Sequence, residues 1–64
     1  MEEKKKLSVV LEHWIEHNES HSASFRERAK QMAGVSEKAA QDIEQAAVLM
    51  DQCTQVLKKA MQDL

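Results

Sequence analysis

Gly34-Val35-Ser36-Glu37 is the one convincing interruption in a sequence otherwise built from helix formers, and its position decides the fold. A glycine can close a helix in the left-handed conformation. A serine two residues later can accept a hydrogen bond from the first free amides of the next helix, and Glu37 lies favourably against that helix's dipole. Elsewhere there is no proline, one phenylalanine and one tryptophan, and Ala, Gln, Glu, Lys, Leu and Met supply most of the rest. The longest strand-like run, Leu7-Ser8-Val9-Val10-Leu11, leads straight into Glu12-His13. An all-α chain that doubles back once is therefore expected.

The spacing predicts a single domain over 1–64: helix 1 over about 3–33, a turn at 34–36 and helix 2 over about 36–62. Each helix is on the order of 40 Å long, and rods of that length joined by so short a connection must lie antiparallel. In helix 2, Ala39, Ile43, Ala46, Met50, Cys53, Leu57, Ala60 and Leu64 alternate steps of four and three, the spacing of a coiled-coil seam. The matching line in helix 1 is Leu7, Leu11, Trp14, Asn18, His21, Phe25, Arg28 and Met32. The expected core is then Leu7, Leu11, Trp14, Phe25, Met32, Ile43, Met50 and Leu57. Ser20, Ser22 and Ser24 are weak helix residues, and Ser24-Phe25-Arg26-Glu27 reads as a capping box. Helix 1 either continues through 18–24 or restarts there, and the unbroken phase of the seam favours continuity.

Helix 2 carries more apolar surface than one partner helix covers, because Leu49 and Val56 flank the seam and Val48 lies further round. A chain of 64 residues also has little apolar material for a core of its own. The economical expectation is a homodimer, two antiparallel hairpins forming a four-helix bundle, with Leu49, Val56, Ala46, Ala60 and Val10 at the interface. An amphipathic helix from another protein is the alternative occupant.

His13, His17 and His21 recur every fourth residue within HWIEHNESH. In an antiparallel hairpin His17 falls level with Gln52 and Cys53, on the flank that also holds His21, Leu49 and Val56. Two readings stand. Asn18 and His21 are polar seam positions that fix register, with His17 beside a dimer contact. Alternatively His17, His21 and Cys53, completed by His13 or a glutamate, bind zinc, nickel, cobalt or copper, ions that suit imidazole and thiolate. His13-Trp14-Ile15-Glu16-His17 also matches the H-x-x-E-H pattern of one class of zinc peptidases, but a chain this small offers neither the third ligand nor the cleft that such an enzyme needs. Cys53 is read as a small apolar filler in preference to a nucleophile. No enzymatic activity and no obligatory cofactor are expected.

The stretch Leu11 to Ala29, through His13, Trp14, Ile15, His17, Asn18, His21, Phe25 and Ala29, resembles a group of short prokaryotic helical-hairpin proteins of unknown function. That resemblance implies a helical hairpin and, loosely, a metal-handling context. Nine Lys and Arg against eleven Asp and Glu are interspersed along the chain, so no single-sign field attracts nucleic acid. The opening MEEKKKLSVVLEH is too acidic, and its apolar run too short, for a signal peptide or membrane span. A lone cysteine agrees with a reducing, cytoplasmic setting. The expectation is a small binding or regulatory module.

Overall fold

The structure, a computed structural model, describes residues 2–64. Two helices, α1 (Glu2–Met32) and α2 (Glu37–Asp63), account for nearly all of it. Glu19 meets Lys58 and Arg26 meets Asp51, so partner numbers fall as residue numbers rise and the helices run antiparallel. The extents are 51 × 14 × 9 Å, and the radius of gyration is 15.0 Å. A compact chain of this length would have a radius of gyration of about 11 Å. The molecule is therefore a flat ribbon two helices wide. α1 runs unbroken through Asn18–Ser24. No helix among the described residues is long and apolar enough to cross a membrane.

The seam between the helices differs in phase from the one the large apolar residues predict. The deepest positions are Ile15, Ser22 and Ala29 in α1 and Ala40, Ala47 and Thr54 in α2, each series spaced by seven. Ser8, Leu11, Asn18 and Phe25, with Ile43, Met50, Leu57 and Met61, complete it at intermediate depth. Both helices are thus turned by roughly 50° from the expected lines, since each keeps one column of its predicted seam and exchanges the other for the column one residue later. Leu7, Trp14 and Met32, expected in the core, are exposed in this hairpin, as are Cys53 and Ala60. Met32 lies in a kept column but is the last residue of α1; for the others the physical reason is close approach. Small side chains at Ser22, Ala29, Ala40 and Ala47 let the two backbones draw together, and the Ser22 hydroxyl reaches the main-chain carbonyl of Ala47 at 3.4 Å. A larger side chain at Ser22 or Ala47 would hold the helices apart at that level.

The turn closes by a different device from the one expected of a glycine. Gly34 is not at positive φ. Instead the Met32 carbonyl accepts from the amides of both Val35, at 2.8 Å, and Ser36, at 2.7 Å, which ends α1 without left-handed backbone. Ser36 then adopts an extended conformation and accepts from the Ala39 amide at 3.1 Å, the N-cap arrangement the sequence predicts. A Cβ at position 34 would find its nearest neighbour, the Gln31 carbonyl oxygen, at 3.7 Å, an ordinary contact. Gly34→Ala is therefore expected to raise stability by about 0.4–1 kcal/mol, because it narrows the unfolded ensemble at no folded-state strain. Urea unfolding followed by helical circular dichroism checks this; a loss of similar size would mean that residue 34 does need glycine's freedom.

Candidate functional site

The ribbon has two broad faces of opposite character, fixed by which residues flank the seam. On one face the flanking rows are charged. Arg26 Nη2 pairs with Asp51 Oδ2 at 2.7 Å, Arg26 Nη1 donates to Ser22 Oγ at 2.6 Å, and Ser22 Oγ donates to Asp51 Oδ1 at 2.5 Å. Lys58 and Glu19 lie 3.3 Å apart two turns further along. Ser22 is buried, and this triangle satisfies its hydroxyl.

The Arg26 and Ser22 hydrogen bonds hold the Asp51 carboxyl below the usual carboxylate range. A depressed carboxylate contributes stability that is complete above its unfolded value and disappears as pH falls through its folded value. Acid unfolding should therefore steepen below about pH 4 in the natural protein. Asp51→Asn, whose side chain does not titrate, should flatten that part of the curve; identical acid limbs would remove the pair from the account.

The other face is apolar. Leu7 is 48% exposed, Val10 38%, Trp14 49%, Leu49 57% and Val56 66%, with Cys53 and Ala60 exposed between them and Ala46 half-buried. Asn18 Nδ2 donates weakly to Cys53 Sγ at 3.7 Å and joins the two helices on this side. The flanking rows also differ in size: α1 offers Leu7, Trp14, His21 and, nearest the turn, Arg28, where α2 offers Ala39, Ala46, Cys53 and Ala60.

The histidines form a ladder along this flank of α1. Ring centroids lie 5.9 Å apart from His13 to His17, 4.4 Å from His17 to His21, and 6.0 Å from His21 to Phe25. The Nε2 atoms of His17 and His21 approach to 2.8 Å, so one ring donates to the other when a single proton lies between them. The structure therefore joins His17 to His21 and places Cys53 on the same face, with Asn18 between. His13 stands one turn away. Among the described residues no three His, Cys, Asp or Glu side chains gather about one point.

The Ser22–Arg26–Asp51 triangle is not among the features expected from the sequence, in which Ser22 counts only as a weak helix residue. Its signals were present: a small residue in the seven-residue series with Ile15 and Ala29, and opposite charges in matching flanks at Glu19, Arg26, Asp51 and Lys58.

These features define a class: an antiparallel helical hairpin with a small-residue seam, one ion-paired face and one apolar face. The chain belongs to the family described as Domain of unknown function (DUF8180), whose model matches residues 7–64 and so takes in both helices and both faces. An uncharacterised protein of Archaeoglobus fulgidus is 32% identical over 56 residues, covering 88% of this chain and 90% of that protein. No solved structure matches.

Proposed function

We propose that the chain is a self-associating, non-enzymatic helical module, in which two copies join their apolar faces into a four-helix bundle of two-fold symmetry. One observation carries this reading. Among the described residues no large side chain is fully buried within the hairpin, while Leu7, Trp14, Leu49 and Val56 stand about half exposed or more on a single face. Ordering the backbone costs about 1–2 kcal/mol per residue, and a core of one isoleucine and three alanines is a small return against that. A second hairpin supplies the missing cover.

The occupant is a second copy because the face is self-complementary. Leu7 and Trp14 project from α1, the row from Ala39 to Ala60 on α2 is recessed between the seam and the projecting Leu49 and Val56, and stacking α1 of each copy over α2 of the other sets ridge into groove twice. The ion-paired faces then remain outward, available to further partners. Cytoplasmic action suits the exposed thiol of Cys53, which stays reduced there.

Urea unfolding at several protein concentrations tests the reading. Folding coupled to pairing requires a midpoint that rises with concentration. A midpoint independent of concentration, with native helicity retained, would contradict the pairing and favour the helix of a different protein as the occupant of the apolar face.

A further inference from the structure

The geometry points to a transition-metal site shared between two copies, in which His17 and His21 of one chain and the partner subunit's Cys53 bind one divalent ion of the zinc, cobalt or nickel type. This inference rests on the dimer proposed above.

Three observations lead to it. The Nε2 atoms of His17 and His21 converge to 2.8 Å on an exposed helix face. Two imidazole nitrogens bound side by side to an ion at about 2.0–2.1 Å lie about 3 Å apart, so the pair needs almost no rearrangement to chelate. Free in water, each ring would instead be served by solvent.

The Asn18–Cys53 contact fixes the register. It sets Cys53 level with Asn18, between His17 and His21 along the helix. A two-fold axis running along the ribbon preserves that level, so the partner subunit's Cys53 arrives opposite the imidazole pair.

The difference in row size selects this axis over the alternative. Rotation about the ribbon's long axis places α1 over the other copy's α2, with His21 and Trp14 over the recessed row of Ala46, Cys53 and Ala60. Rotation about the short axis would stack α1 on α1, ridge on ridge. The long-axis arrangement also explains why the three ligands do not converge within one chain: the third belongs to the other copy. A solvent molecule fills the fourth position, and the thiol proton passes to solvent as the thiolate binds. Each dimer holds two such sites.

Cobalt(II) added to the reduced full-length protein is the probe, read by its visible bands and by the near-ultraviolet thiolate-to-cobalt charge-transfer band. The expected result is one ion per chain with that band present. Cys53→Ser should remove the band and weaken binding by roughly tenfold or more, and His17→Ala/His21→Ala should abolish it. Mixing the two variants decides the arrangement, because each heterodimer regains one complete site from the histidines of one chain and the thiol of the other. The charge-transfer band should therefore return in the mixture, although neither variant shows it alone. A mixture that stays silent, one ion per dimer unaffected by Cys53→Ser, or no binding at all would overturn the shared site. Sedimentation of the same samples in chelator keeps the outcomes separate: dimers that ignore cobalt defeat this inference alone, and monomers defeat the pairing beneath it.

Discussion

Leu49→Glu combined with Val56→Glu is expected to abolish self-association at micromolar concentrations and to cost the chain most of its helicity. Each residue has more than half of its surface still to bury, which is worth about 1–2 kcal/mol. Two residues in each of two copies make roughly 4–8 kcal/mol, comparable to the about 8 kcal/mol that a micromolar complex holds in total. Burying a carboxylate in place of a methyl group adds a further cost. The control is Val9→Glu with Val48→Glu. These valines are 61% and 47% exposed, but they stand on the outer side of the ion-paired face. That pair should change stability by less than about 0.5 kcal/mol per site. Equal effects of the two double substitutions, followed by sedimentation and circular dichroism, would mean that no one face is special.

The second large effect is expected at Ala47, the most deeply buried of the described residues. Ala47→Leu inserts a branched side chain where the Ser22 hydroxyl lies 3.4 Å from the Ala47 carbonyl. The helices must separate, which loosens the Ser22 hydrogen bonds and the packing of Ala29 and Ala40. The expected loss is about 2–3 kcal/mol, in the range seen when a close-packed interior is overfilled. Urea unfolding measures it. A loss below about 0.5 kcal/mol would show that the seam has room, and that small residues there are not what brings the helices together.

How much of this was legible in the sequence follows from where each signal resides. The turn was readable because Gly34 is the one glycine in a run of helix formers and Ser36 follows it, and Ser36 caps α2 as its chemistry requires. Continuity of α1 through Asn18–Ser24 was readable from an unbroken heptad phase. The rotation about each helix axis was not, because hydrophobic spacing ranks residues by size. Here the tightest contact goes to the smallest residues, Ser22, Ala29, Ala40 and Ala47, and Trp14 is turned outward. The same rotation turned Leu7 and Trp14 out of the seam, kept Leu11, Phe25, Ile43, Met50 and Leu57 in it, and left His17, His21, Cys53, Leu49 and Val56 on one flank, since both helices turned by a similar amount. Gly34 misled in a smaller way: its composition signal marked the turn correctly, but the doubly accepting Met32 carbonyl does the work assigned to left-handed backbone. The Ser22–Arg26–Asp51 triangle lay in the sequence only as a pattern across two helices, visible once their register is known.

Sedimentation equilibrium of the reduced, chelator-treated protein across a range of loading concentrations tests most directly whether the apolar face is covered by a second copy. Pairing requires a mass approaching twice the chain's 7.3 kDa as concentration rises. A fully helical species that stays at 7.3 kDa throughout would contradict it.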